Sequence, residues 1–268
     1  MGQKFFIKIF FFLNIAVCST VLLSQQRIVS LTPSITKSLY LLNEKDNVVG
    51  ITSFCKKISD KQKIVGSYLE FNVEEILKLK PDVIFVSKEG IKKESVEELR
   101  KFKLNITILS PVNTYEDIKK QFIQIAKIIK KEDKAKQIIS YYESKYKERQ
   151  IKSPVSILCI IGLHPLIVAT DKSYMGDIIR YTGAKNCISH RQRYVQLTPE
   201  EIIRFNPDVI IIPDMGINET EVRNFFRQFE ELNAVKNNRI FVLPADILCQ
   251  PNIENFFLSV EKVSKLIK

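Results

Sequence analysis

The chain has 268 residues, is 45% hydrophobic and carries a formal charge of +11, enough apolar material for one large domain or two modest ones. Only eight glycines are present, and neither GxGxxG nor GxxxxGK(S/T) occurs, which excludes a glycine-rich phosphate-binding loop. The lysines are spread along helical patterns and do not cluster with aromatics, so the positive charge reads as a solvated surface and not as a nucleic-acid-binding face.

Residues 1–26, MGQKFFIKIFFFLNIAVCSTVLLSQQ, place Lys4 and Lys8 ahead of an apolar stretch that gives way to small and polar residues, the pattern of a secretory signal peptide. Lys8, Asn14 and Ser19-Thr20 interrupt it too often for a membrane span. IAVC, ending at Cys18, is similar to a bacterial lipoprotein cleavage box, although Val17 is bulkier than the usual Gly or Ala; ordinary cleavage near Ser24 is the alternative. The protein is therefore expected in the periplasm or elsewhere outside the cytoplasm, with a possible lipid anchor at Cys18.

RIVSL, from Arg27, reads as the first strand. Thr32-Pro33-Ser34 opens a helix with a cap residue and a proline, and ITKSLYLL continues it. Strands follow in NVVGIT and near Ile64-Val65, then NVEEILKLKPDVIFV (72–86), a helix in GIKKESVEELRKF and a strand in ITILS. Beyond Thr114 the chain runs without Gly or Pro to Gln150, with helical apolar spacing. KKEDK divides this stretch, leaving a long second helix expected over 132–150. VSILCIIG restarts the strand–helix alternation. It continues through a helix around Gly176 to Tyr181, TPEEIIRFNPDVIII (198–212), a helix in VRNFFRQFEELNAV, a strand in RIFVLP and a closing helix in NIENFFLSVEKVSKLI. Such alternation predicts mainly parallel sheets.

Two of these phrases are nearly the same. In each, Asn72 or Thr198 is a good N-cap and Glu75 or Glu201 sits three residues on, at the capping-box spacing. Lys80-Pro81-Asp82 and Asn206-Pro207-Asp208 stop each helix ahead of a short apolar strand suited to burial on both faces. Two copies of a long unit predict two similar α/β halves, not a solenoid. The expected organisation is a leader (1–26), an N-terminal Rossmann-like α/β lobe (27–131), one long linking helix (132–150) and a C-terminal α/β lobe (151–268), with a ligand cleft between the lobes.

RIVSLTPSITKSLYLL, VVGITSFC, VGSYLEFNVEEILKLKPDVIFV and TPEEIIRFNPDVIII together resemble the ABC-importer binding proteins that carry vitamin B12, iron-siderophores and haem, and within that class the cobalamin-binding proteins most. The resemblance covers Arg27 to Lys268. It implies two lobes joined by a helix, a metal-chelate ligand, delivery to a membrane permease with its ATPase subunit, and no catalysis. It also implies that Glu74 and Glu200, one per lobe, dock onto permease arginines; the alternative for each is an acid that complements its helix dipole.

Ligands in open α/β lobes meet the loops beyond the carboxyl ends of the strands. That rule selects Ser34, Phe54, Cys55 and Tyr68 on the first lobe and His164, Tyr194, Asp246, Leu248 and Gln250 on the second. Phe54 and Tyr68 match positions where the resemblance places aromatics against a corrin ring, with ordinary packing as the alternative. His190, Arg191 and Tyr194 are the residues that a haem or siderophore carrier would turn to iron or carboxylates. No resident cofactor or metal is expected, because CxxC and zinc-ligand spacings are missing. Which of Cys55, Cys159, Cys187 and Cys249 pair, if any, is left open. Departures from the class pattern are Lys37 where an acid is usual, NEKD where a glycine is usual, KKIS after Cys55, and LCQPNIENF without arginines. The leading expectation is a carrier of a cobalamin-like corrinoid, and the second is a carrier of a ferric siderophore or haem. An extracytoplasmic enzyme lacks a Ser/His/Asp array or paired carboxylates to support it. A signalling or adhesion module on the same scaffold would lack an adjacent permease gene.

Overall fold

The first strand, β1 (Ile28–Ser30), is buried throughout and lies at the centre of an all-parallel sheet. The computed structural model describes residues 26–67, 70–89, 92–146 and 154–267; the expected leader with Cys18, and Tyr68, lie outside them. After β1 come α1 (Pro33–Leu41), β2 (Val48–Ile51), β3 (Lys63–Ile64), α2 (Val73–Lys78), β4 (Val83–Ser87), α3 (Lys93–Lys101) and β5 (Ile106–Leu109). The sheet order is β3-β2-β1-β4-β5. Strand order reverses at β1 and β4, so the loops after these two strands diverge and open a crevice at their carboxyl ends.

The second lobe repeats the scheme with an antiparallel addition. Its elements are β6 (Ser156–Leu163), β7 (Leu166–Ala169), α6 (Tyr174–Tyr181), β8 (Lys185–Asn186), β9 (Tyr194–Gln196), α7 (Pro199–Phe205), β10 (Val209–Asp214), α8 (Glu219–Phe226), α9 (Asn233–Lys236), β11 (Ile240–Pro244), α10 (Ala245–Leu248) and α11 (Ile253–Leu266). The order is β11-β10-β6-β7-β9, and β8 also pairs with β6. β6, β10 and β11 are parallel, whereas β7 turns back antiparallel on β6 through a cis His164-Pro165 bond and pairs antiparallel with β9.

Both copies of the repeated phrase fold as a short helix, a turn and a buried strand. Asn72 and Thr198 accept from the amides of Glu75 and Glu201, but only Thr198 has the reciprocal bond from its own N–H to the glutamate, Glu201. Glu75 pairs instead with Lys78. Lys80 and Asn206 take left-handed backbone angles (φ 45° and 41°) just before the prolines. The aspartates then do the same work in each lobe. Asp82 Oδ2 accepts from Arg27 N at 2.6 Å, and Asp208 Oδ2 accepts from Ser156 N at 2.9 Å and Ser156 Oγ at 2.7 Å, so each pins the start of its lobe's first strand.

Between the lobes lie α4 (Tyr115–Ile128) and α5 (Glu132–Lys145), which pack on each other and on α11. The linking helix expected to reach Gln150 ends a turn early. Tyr146 is extended (φ −125°, ψ 107°), stacks on Phe257 at 5.1 Å and donates to Glu261 Oε2 at 2.9 Å; residues 147–153 lie outside the described residues. One apolar cluster runs through these helices and joins residues of both sheets, from Ile28 and Phe85 to Ile157 and Phe256. Tyr115 is at its centre, stacked on Phe256 at 4.8 Å and edge-on to Phe257 at 5.0 Å, while its N–H donates to Asp177 Oδ2 at 2.7 Å.

The single helix expected in VRNFFRQFEELNAV is broken. α8 passes into a 3-10 turn (Arg227–Phe229), Leu232 is extended and buried, and α9 starts afresh with Asn233 N donating to Asn206 Oδ1 at 2.8 Å. No helix among the described residues is long and apolar enough to cross a membrane.

Candidate functional site

A cleft with a cavity volume of about 820 Å³ opens between the lobes, at the carboxyl ends of the central strands. Its N-terminal wall comes from the loop after β1 (Thr32, Pro33, Ser34), from Phe54 and Ser67, and from Ser87 and Glu89 after β4. Val112 and Gln121 close one side. The opposite wall is Met215 after β10 and Ala245, Asp246, Cys249, Gln250 and Pro251 after β11.

Each wall is held by its own hydrogen bonds. Thr32 does not cap α1 with its side chain; Thr32 Oγ1 accepts from Ser87 N at 3.0 Å and so ties the ends of β1 and β4 at the crevice. Gly66 sets up the loop that carries Ser67. Its φ of +136° suits glycine, and a Cβ there would lie 2.4 Å from Phe71 Cα and 2.5 Å from Glu70 O. On the far wall, the buried Asn255 side chain donates to Asp246 O at 2.9 Å and Gln250 O at 2.8 Å, and Asn252 Nδ2 donates to Gln250 O at 2.9 Å.

The sequence-selected residues separate in space. Ser34, Phe54, Asp246 and Gln250 line the cleft, and Phe54 leaves 66% of its surface exposed. Cys55 points the other way: it is only 7% exposed, with Thr36 Oγ1 and Thr52 Oγ1 each 3.2 Å from its sulfur. Leu248 is 1% exposed and belongs to the central apolar cluster, because the face of α10 that carries it turns onto α11. His164 sits in the β6–β7 hairpin turn beside Phe225, with ring centroids 5.8 Å apart, and lines a separate surface groove. Tyr194 is 42% exposed on β9 and not among the residues lining the cleft; burial raises its phenol pKa. His190 is exposed, and its Nδ1 accepts from Gln192 N at 3.0 Å. Glu74 and Glu200 both occupy exposed first-turn positions, on α2 and α7. At Glu200 the local backbone N–H and Thr198 hold the carboxyl below its ordinary range.

Two groups were missed in the sequence. Arg193 reaches across the lobes to a Glu89 carboxylate oxygen and also donates to Asn113 Oδ1 at 3.0 Å. The hydrogen bond to Glu89 raises the Arg193 pKa first of all. Lys37, the departure in α1, also crosses the interface and donates to Asp246 O and Asn255 Oδ1, each at 3.2 Å. Burial lowers its pKa, opposed by Asp246 and Glu254. No spacing rule points to either, because the partners of Arg193 lie 104 and 80 positions away in the chain and those of Lys37 lie 209 and 218 away. Among the described residues no group of three or more His, Cys, Asp or Glu could hold a metal ion, and all four described cysteines are free.

Fold and cleft together define a ligand carrier built from two lobes. Residues 28–247 match the family described as periplasmic binding protein, and the chain belongs to that family. It is 27% identical over 236 residues to an uncharacterized ABC transporter substrate-binding lipoprotein, YvrC, of Bacillus subtilis, covering 83% of this chain and 74% of that one. It is 28% identical over 236 residues to the high-affinity heme uptake system protein IsdE of Staphylococcus aureus, covering 81% and 78%. The fold is similar to the vitamin B12-binding protein BtuF of Vibrio cholerae, with a TM-score of 0.70 at 22% identity over 90% of this chain and 96% of that one. The protein is thus a transport binding protein and not an enzyme, and acts outside the cytoplasm.

Proposed function

We propose that this protein captures a cobalamin-like corrinoid in the inter-lobe cleft and delivers it to an ABC permease and its ATPase. One observation carries the choice of ligand. The described cleft is lined by hydroxyls, the carboxamides of Gln121 and Gln250, the carboxylates of Glu89 and Asp246, and apolar groups, with no Lys, Arg or His among the lining residues. Of the cations that reach lining residues, Arg193 is paired with Glu89, and Lys37 donates to Asp246 O and Asn255 Oδ1. A corrinoid presents an amide-rimmed ring around a cationic metal, which such a lining matches. Ferric siderophores and the propionates of haem favour Arg or Lys partners. The volume is within the roughly 300–1,000 Å³ of small-molecule sites.

Calorimetry of the leaderless protein with cyanocobalamin, haemin and ferric chelates tests this reading. Cyanocobalamin is expected to bind in the micromolar range or tighter. Heat from haemin or a ferric chelate, and none from cyanocobalamin, would overturn it. Haem is the second reading, favoured by the similarity to IsdE, which is named for heme uptake.

Permease docking through Glu74 and Glu200 is part of the proposal. So is lipid attachment at Cys18, which the lipoprotein name of YvrC supports. Mass spectrometry of the protein from membranes is expected to show a diacylglyceryl adduct at Cys18; a soluble chain starting near Ser24 would rule it out.

A further inference from the structure

The strands of the first sheet are all parallel, so every turn that enters a strand lies on one face of that lobe, opposite the cleft. Lysines scattered along the chain meet there. Lys45 precedes β2, Lys61 and Lys63 lie at the start of β3, Lys80 precedes β4 and Lys103 precedes β5. Lys130, at the end of α4, joins them, because its neighbour Lys131 reaches Glu44 in the turn before β2 at 3.3 Å. All of these are exposed, and the six are not paired with a carboxylate among the described residues. The carboxylates of this face are mostly committed, Glu44 to Lys131, Asp60 to Lys57 and Asp82 to the Arg27 N–H, which leaves Asp46. Ile58 and Ile64 are exposed at one edge of the sheet and Phe102 at the other.

Three of these lysines stand where the backbone favours another residue. Helices α2, α3 and α4 each give way to a left-handed residue, and these are Lys80, Lys103 and Lys130, with φ of 45°, 55° and 58°. Glycine or asparagine takes such a place at the least conformational cost. The second lobe follows that rule: α6, α7 and α9 give way to Gly183, Asn206 and Asn238, with φ of 79°, 41° and 54°. The repeated phrase makes the comparison direct, since Lys80 and Asn206 precede the same Pro-Asp pair. Cations on the corresponding face of the second lobe are engaged, Lys236 with Glu231 at 2.6 Å and Arg239 with the Leu266 carbonyl at 2.9 Å. Complementing helix dipoles would call for lysines at these positions in both lobes, so the free charge is a property of the first lobe's face.

We propose that this face rests on the anionic surface of a lipid bilayer, with the lysines over the headgroup phosphates and Ile58, Ile64 and Phe102 reaching the interface. Unpaired lysines flanked by exposed apolar side chains match negative headgroups over hydrocarbon. The chain also enters β1 from this face, at Arg27, so an anchor at Cys18 would hold the same side toward the membrane. The contact needs neither that anchor nor any one ligand. In this orientation the cleft and Glu74, on the carboxyl-end side of the strands, face away from the bilayer. The carrier rests open to incoming ligand and turns over to meet a permease. Contacts made by exposed lysines are weakened by salt, which suits a state that must be left again.

Co-sedimentation with vesicles tests this, using the soluble chain from Ser24, which holds every element of both lobes and no acyl group. The vesicles are phosphatidylcholine alone, or phosphatidylcholine mixed with phosphatidylglycerol. At about 0.1 M salt, binding to the anionic vesicles is expected to be at least about tenfold tighter than to the neutral ones, and to vanish at about 1 M, where the screening length shortens to about 3 Å. Lys80→Asn/Lys103→Asn/Lys130→Asn should weaken binding to the anionic vesicles about a hundredfold, at about fivefold per lysine. Its melting temperature should hold or rise, because asparagine suits a left-handed backbone. The matched variant Lys172→Asn/Lys185→Asn/Lys265→Asn removes the same charge from exposed positions of the second lobe and should bind as the wild type does. Equal weakening by both triple variants would overturn the assignment to this face and leave net charge as the cause. Equal binding to neutral and anionic vesicles, or binding to neither, would overturn the bilayer contact. Capture of soluble polyphosphate without vesicle binding would overturn it as well, in favour of a polyanion surface.

Discussion

The repeated Pro-Asp pair shows how a single residue type can serve as a fixed part in two lobes. Asp82 and Asp208 each accept from the backbone at the start of a central strand, and Asp208 also takes the Ser156 hydroxyl. The Ser156 backbone bond is the first cause that holds the Asp208 carboxyl below its ordinary range. A depressed carboxylate stabilises the fold above its unfolded pKa of about 3.9 and loses that contribution as pH falls through the lower folded value. Asp208→Ala should therefore cost about 1–2 kcal/mol near neutral pH, after discounting for solvent access, and progressively less below about pH 4. Urea denaturation at both pH values measures this; an equal deficit at both would refute it. Among the described residues that line the cleft, Phe54 carries the exposed ring. Phe54→Ala is expected to weaken ligand binding by about 1–3 kcal/mol, the scale of a lost large apolar contact, with little change in melting temperature. Calorimetry beside a thermal melt separates the two effects.

At the scale of the element, the two copies of helix–turn–strand differ in their caps in a way that can be measured. Thr198 and Glu201 complete a capping box, whereas Asn72 makes a one-way bond and Glu75 turns to Lys78. Thr198→Ala should cost about 1–2 kcal/mol, and Asn72→Ala nearer 1 kcal/mol, because only the former dismantles a reciprocal pair. Chemical denaturation of both variants is the check, and a larger loss at Asn72 would contradict it. The repeated elements were legible because their cap residues, apolar stripe and stop signal lie within fifteen consecutive positions. Elements that depend on distant partners were not. The break before α9 exists because Leu232 turns inward and Asn206 supplies a cap from across a turn. The end of α5 is set by Tyr146 reaching Phe257 and Glu261 on α11.

At the scale of the whole molecule, the lobes share one apolar cluster and are also tied by Arg193–Glu89 and by Lys37 to the 245–255 region. A shared core resists separation more than a hinge of loops does, so ligand binding should change the radius of gyration little. Small-angle scattering with and without ligand tests this, and a large compaction would refute it. Exposed ion pairs contribute about 0–1 kcal/mol, so Arg193→Ala should leave the melting temperature nearly unchanged. Charge reversal at both Glu74 and Glu200 is expected to leave ligand affinity intact and to reduce uptake strongly, since lost interfacial charge pairs typically cost about 2–5 kcal/mol. Normal uptake by the double variant would end the docking proposal.

The sequence by itself determined the class of fold, the doubling of the lobes and the position of the cleft. Each of these follows from local patterns: strand–helix alternation, a phrase written twice, and loops at the carboxyl ends of strands. Whether a selected residue faces the ligand was decided only in three dimensions. Phe54 and Cys55 are neighbours in the chain, yet one projects into the cleft and the other is drawn inward by Thr36 and Thr52. Leu248 and Cys249 divide in the same manner, one into the core and the other onto the cavity wall beside Met215. The physical reason is that a loop's side chains are oriented by the tertiary hydrogen bonds that fix its backbone, here those of Asn252 and Asn255, and no period in the sequence encodes them.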